Sequence, residues 1–140
     1  MQKNIFKSIG AVLAGFVFIG ITHTGTDKIL EGMGVLPRDN LFVGAGLILC
    51  VIGYRAVFSL IGCYLTARFA PQNPMKHALA LGVVGVVLST VGAIVGADLG
   101  PAWYAWSLVA ISLPIAWIGG KLYEWRQGVK IAEKENDRIV

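Results

Sequence analysis

Arg55 is the residue from which any chemistry in this chain must be argued. It lies near the middle of a 29-residue stretch, 41–69, whose only other charged residue is Arg68. A guanidinium at the centre of a membrane helix costs roughly 2.5–3.5 kcal/mol on insertion scales, so it is expected to face protein or water rather than lipid. The residues that could meet it are Asp27, His23 and Asp98, with His23 and Asp27 spaced one helical turn apart. Together these four would form a buried polar cluster suited to an anion, a proton or a polar substrate. The plainer reading is a structural ion pair, or an arginine that snorkels or bonds backbone carbonyls, and that reading is favoured. Asp98 taken alone reads as a solvated turn residue, and His77 beside Lys76 as a solvated interfacial one. The sequence has no metal-ligand spacing, Ser/His/Asp set, glycine phosphate loop or HExxH. Nucleophile and base candidates do not converge, so we expect no enzymatic activity, no metal and no cofactor.

The elements that must position Arg55 follow from composition. The chain has 140 residues, 56% hydrophobic and 14% charged, with a mean hydropathy of +0.69; soluble domains carry about 25% charged residues. Four segments, about 8–26, 41–69, 75–97 and 102–123, are long enough for the roughly 20 apolar residues that a spanning helix needs. Helix is the form expected, because lipid leaves no partner for open backbone groups. The runs are also too continuous for barrel strands, which would alternate over about 10 residues. The fold class expected is therefore an all-α transmembrane four-helix bundle, up-down-up-down. It forms a single integral membrane domain over 1–140, with a charged tail at 124–140. Lys3 and Lys7 precede the first apolar run as in a secretory signal, but no small-x-small cleavage site follows convincingly, and we read a retained helix.

Orientation follows from Lys and Arg. Lys3, Lys7, Arg68, Lys76, Lys121, Arg126, Lys130, Lys134 and Arg138 fall on one side, and Lys28 and Arg38 on the other. The positive-inside rule then puts both termini in the cytoplasm. The pI near 9.3 reflects that topology, and nucleic acid is not expected as a partner because the basic tail is interleaved with Glu124, Glu133, Glu135 and Asp137. Trp103, Tyr104 and Trp106 at one end of the fourth segment, and Tyr123 and Trp125 at the other, read as interfacial belts. Trp103 and Tyr123 are about 30 Å apart along a helix, the thickness of a hydrocarbon core.

Turn residues punctuate the connections. Pro71 should stop the second helix, and Asn73-Pro74 reads as an N-cap with proline at the first helical position. Gly100-Pro101 makes a comparable turn before the fourth helix. Only the loop 27–40 is long enough for a surface feature, such as a short helix before Gly34 and Pro37. Pro114 should kink the fourth helix, and Gly119-Gly120 should loosen it. Cys50 and Cys63, about 20 Å apart along one helix, cannot bond each other and read as packing residues.

Packing is announced by small residues. On the third helix Ala78, Gly82, Gly85, Ser89, Gly92 and Gly96 recur at spacings of 4, 3, 4, 3 and 4, a period that puts them on one seam. Such seams allow close approach of backbones, with Gly92-x-x-x-Gly96 as the small-xxx-small element. An intramolecular contact is favoured for this seam over a dimer or partner interface. Arg55, Ser59, Gly62 and Thr66 make a polar, small face on the second helix, and Ala11, Gly15, Thr22 and Thr26 offer one on the first.

The run Gly62-Cys63-Tyr64-Leu65-Thr66-Ala67-Arg68-Phe69-Ala70-Pro71, followed by Pro74-Met75-Lys76-His77-Ala78-Leu79, resembles uncharacterised small four-pass bacterial inner-membrane proteins. These share a GGYLTAR-x-AP-like helical hairpin and often a Gly-Pro-Ala-Trp-Tyr stretch such as Gly100 to Tyr104. Cys63 stands where that pattern has its second glycine. The resemblance covers most of 8–121; it implies a four-pass fold and the bacterial inner membrane, and transfers no catalytic residue. The expected function is a structural or accessory subunit that packs against itself or a larger membrane complex through glycine faces. The alternative is a small transporter or channel centred on Arg55.

Overall fold

The computed structural model describes residues 2–37, 44–98 and 100–138. They form four helices: α1 Gln2–Gly32, α2 Ala45–Phe69, α3 Pro74–Val95 and α4 Ala102–Asn136. No strand occurs among the described residues. All four helices are long and apolar enough to cross a membrane, and the all-helical expectation holds.

Helix ends show which local signals won. The first helix was expected to stop near Thr26, yet it continues to Gly32, so Asp27 lies on α1 and not in a loop. The stop comes at Gly34, whose φ of 73° is the left-handed conformation that glycine adopts without strain. Gly34 N–H bonds the Glu31 carbonyl at 3.1 Å, and Val35 N–H bonds that of Leu30 at 2.9 Å, the paired bonds of a Schellman cap. The chain then turns inward and buries Leu36. The start of α2 expected at Leu41 lies outside the described residues.

Asn73 and Pro74 take the N-cap and N1 positions of α3 as expected, but no Asn73 side-chain bond caps the helix. Instead Asn73 supplies a left-handed backbone, φ 46°, which asparagine tolerates better than most residues, and its carbonyl accepts from Lys76 N–H and from His77 Nδ1. The fourth helix runs through Pro114 and on to Asn136. The expected tail is thus largely helical: no proline falls between Tyr123 and Asn136, and apart from Gly128 most of the residues there are good helix formers. Lys121 and Glu124 pair across one turn at 3.4 Å.

The core is built from small side chains. Cys63, Ala67, Ala78, Leu81 and Ala116 form its buried cluster, while large apolar residues such as Leu49, Val87, Ile94 and Trp117 lie on the outside. Glycine sets how closely the helices meet. A Cβ on Gly15 of α1 would come within 1.9 Å of Thr66 Oγ1 and 2.7 Å of the Gly62 carbonyl; one on Gly62 would strike Ile19 at 2.4 Å. On α4, a Cβ at Gly119 would meet Cys63 and the Leu60 carbonyl of α2, each at 2.9 Å. One at Gly120 would meet Met75 and Ala78 of α3 at 2.8 and 3.2 Å. The pair expected to loosen α4 is therefore where it is clamped, because consecutive positions about 100° apart around a helix can face two neighbours at once.

The third-helix seam divides. Ala78 and Gly82 are buried, and a Cβ on Gly82 would lie 2.5 Å from Ala116 Cβ. At Gly85 the nearest atom, Ser112 Oγ, is 3.5 Å away, an ordinary contact. Ser89 is half-buried, Gly92 is exposed with nothing within 4 Å of a Cβ, and Gly96 is the C-cap. The expectation of one continuous packed seam fails beyond Gly85: the seam's close glycine contact with α4 is at Gly82, and a Cβ at Gly92 would meet nothing.

Contacts fix helix directions as well. Gly15 and Asp27 of α1 meet Gly62 and Arg55 of α2, so those helices run antiparallel. Gly82 meets Ala116, and Gly120 meets Ala78, so α3 and α4 do too.

Two substitutions test the division of the seam. Gly82→Leu should destabilise the protein by about 1–3 kcal/mol through overpacking, whereas Gly92→Leu should stay within about 0.5 kcal/mol of wild type. Unfolding of both variants in one detergent checks this, and equal losses would place Gly92 in a packed contact.

Candidate functional site

Arg55 is carried on α2 and meets α1. Its Nη2 donates to Asp27 Oδ2 at 2.6 Å, and about a quarter of each side chain remains exposed. The Tyr54 hydroxyl donates to the other carboxylate oxygen, Oδ1, so both oxygens of Asp27 are engaged. Charge-assisted bonds of this kind are roughly twice as strong as neutral ones. They are also what an arginine inside a membrane requires, since lipid leaves a charge no other partner.

The two helices share a second polar contact. His23 Nε2 lies 3.1 Å from the Arg55 main-chain oxygen; a carbonyl only accepts, so Nε2 carries the proton, leaving Nδ1 with a lone pair whenever the imidazole is neutral. His23 and Asp27, one turn apart on α1, thus both grip residue 55, one through its backbone and one through its side chain. Phe58 packs beside them, with ring centroids 6.4 Å from both His23 and Tyr54. Tyr104, in the first turn of α4, lies within electrostatic reach of Arg55 and Asp27.

Of the four residues expected in a polar cluster, the structure unites Arg55, Asp27 and His23. Asp98 stands apart, exposed in the turn after α3, and the Arg55 ion pair is made with Asp27. Tyr54 was not foreseen. Neighbours along a helix point about 100° apart, so nothing in the spacing says that residues 54 and 55 reach the same carboxylate. Only the placement of α1 between their directions makes that so.

Beside the ion pair is a cavity of about 260 Å³ to which all four helices contribute. His23 and Arg55 line it, with Ser59, Ser89 and Ser112; Phe16, Ile19, Leu81 and Ile115 supply apolar walls. Ser112 Oγ donates to the Leu108 carbonyl at 2.6 Å. Arg55 Nε is buried without a hydrogen-bond partner among the described residues. Those residues contain no cluster of three or more His, Cys, Asp or Glu able to hold a metal ion. Cys63 is buried on the cavity wall, and Cys50 is a free, exposed thiol on the same helix. Compared with protein-family models, curated proteins and solved structures, the chain matches none.

The ion pair makes a quantitative prediction. Removing one partner of a fully buried pair costs about 3–5 kcal/mol. Arg55→Leu and Asp27→Leu should each cost less than that, because a quarter of each side chain is exposed. The double variant should cost less than the sum of the two, with a coupling of about 0.5–3 kcal/mol. Unfolding of the three variants in a single detergent measures it; strict additivity would show that the pair contributes no interaction energy.

Proposed function

We propose that this chain is an accessory subunit of the bacterial inner membrane, threaded up-down-up-down with both termini in the cytoplasm, which associates with further copies or a larger complex through glycine-bearing helix faces. The observation that carries this reading is the outer face of α2. Gly46, Cys50 and Gly53, at spacings of 4 and 3, are all exposed, and nothing lies within 4 Å of a Cβ on either glycine. Small residues at this period let a second helix approach to backbone distance, which is how helices associate where lipid removes the hydrophobic drive. Gly92 on α3 adds a second open position. The charges deepest in the bundle are paired within the chain, so a partner would meet an apolar surface. The excess of Lys and Arg at one end supports the orientation, and the likeness of 62–79 to four-pass bacterial inner-membrane hairpins supports the compartment.

The alternative is a small transporter or channel using Arg55, His23 and Asp27. The observation that favours it is the cavity, which brings side chains from all four helices around a charged residue. Hydration separates the two: a transport path requires water at Arg55, whereas an accessory subunit does not.

Three measurements test the leading reading. In a variant free of Cys50 and Cys63, Met33→Cys should react with a membrane-impermeant thiol reagent in intact cells and Lys130→Cys should not; the reverse pattern would overturn the orientation. Oxidation of native membranes should cross-link copies or a partner through Cys50, and Gly53→Leu should abolish that product. A monomer in mild detergent with no copurifying protein would remove the accessory role.

A further inference from the structure

We propose that the central cavity is a binding site for an uncharged, lipid-soluble molecule whose carbonyl oxygen accepts hydrogen bonds from Arg55 and the cavity serines. The inference requires the bundle to span a membrane but neither functional reading above, and it concerns occupancy, not transport.

The first consideration is how the cavity is reached. Its α2 and α4 walls are buried or half-buried throughout, whereas Phe16 and Gly20 of α1 and Leu88 of α3 line it and are exposed. The mouth therefore lies between α1 and α3. These helices meet nearer the other end, where a Cβ on Gly15 would come 2.9 Å from Leu81, and where Ser8 and Val12 lie near Lys76 and His77. The rim of Phe16 and Leu88 is apolar and sits on the flank of the bundle within the spanning segments. A molecule dissolved in lipid passes such a rim readily; a hydrated ion does not.

The second is what the interior offers. Arg55 uses Nη2 on Asp27, and a guanidinium carries five N–H donors, so donors remain. The hydroxyls of Ser59 and Ser89 make no hydrogen bond among the described residues. Polar groups facing a non-aqueous cavity gain from an acceptor, since a donor left unpaired there loses its hydration without replacement.

Charge then selects the class of acceptor. Arg55 and Asp27 cancel. A carboxylate or phosphate would give the site a net negative charge in a low-dielectric interior, which is costly, while a ketone, quinone or ester carbonyl accepts the same hydrogen bonds and leaves the balance at zero. Size limits the bound part. The volume of about 260 Å³ equals roughly nine waters at about 30 Å³ each, room for one ring-sized head. An alkyl tail would leave between Phe16 and Leu88 into the bilayer.

The test uses the full chain in detergent micelles with an alkyl-substituted benzoquinone as the neutral probe, and decanoate and inorganic phosphate as anionic ones. A ligand that binds only the folded state raises the unfolding temperature saturably. The quinone should do so and neither anion should. Gly20→Leu, at a position where a Cβ meets nothing within 4 Å, should close the mouth, leaving unliganded stability unchanged and weakening the probe by about tenfold or more. The double variant Ser59→Ala/Ser89→Ala should also weaken it without closing the mouth, and carries the test if Gly20→Leu does not fold. No saturable shift with the quinone, an equal shift in both variants, or a larger shift with decanoate would each overturn the proposal.

Discussion

Lipid offers a charged side chain nothing to bond, and the Arg55–Asp27 pair answers that constraint within the chain. Burying one guanidinium on α2 forces an acid to be brought to it from elsewhere, and α1 brings Asp27 at 2.6 Å. The register between α1 and α2 is thereby fixed from both sides of one turn. Asp27 holds the Arg55 side chain, and His23 donates to its main-chain oxygen. A shift of α1 by one residue would rotate both groups about 100° away.

The polar contact at one level is compatible with close packing at another. About three turns before Asp27 along α1, Gly15 meets Gly62 and brings α1 and α2 to backbone distance. That approach is available only because neither residue has a side chain, and Thr66, fully buried beside them, fills the space. The fourth helix is held by the same device at Gly119 against α2 and Gly120 against α3. The cavity beside Arg55 adjoins these clamps, with Cys63, Leu81 and Gly82 in its wall. The cavity thus has tight packing at one end and a polar tie at the other. It gives the alternative transport reading its foothold, while the open glycines on α2 give the accessory reading its own; the two draw on different surfaces and do not compete for the same residues.

Much of this was legible in the residues themselves. Hydropathy and length determined four spanning helices, because the bilayer imposes a minimum apolar run that few other contexts demand. Turn chemistry determined where α3 begins, since Asn73-Pro74 combines left-handed tolerance with a proline that needs no donor. The isolation of Arg55 among apolar neighbours marked the site, with Asp27, His23 and Asp98 as the residues that could meet it. Gly34 was visible as a stop signal too, although its effect was to cap a longer α1 and not to follow a short separate helix.

Which faces meet is settled by the packing of the four helices together. Spacing on one helix says that Gly82, Gly85, Ser89 and Gly92 share a stripe, but not which of them a neighbour touches closely, and on this stripe that is Gly82, against Ala116 of α4. Gly119-Gly120 looks like flexibility in isolation and becomes a clamp only with α2 and α3 on either side. Tyr54 joins the Asp27 carboxylate, and Asp98 does not join Arg55, because distance between helices is set by the packing of all four and is not encoded at any single position. Composition and spacing give the elements and their charged residue; which groups neutralise that charge follows from how α1 lies against α2.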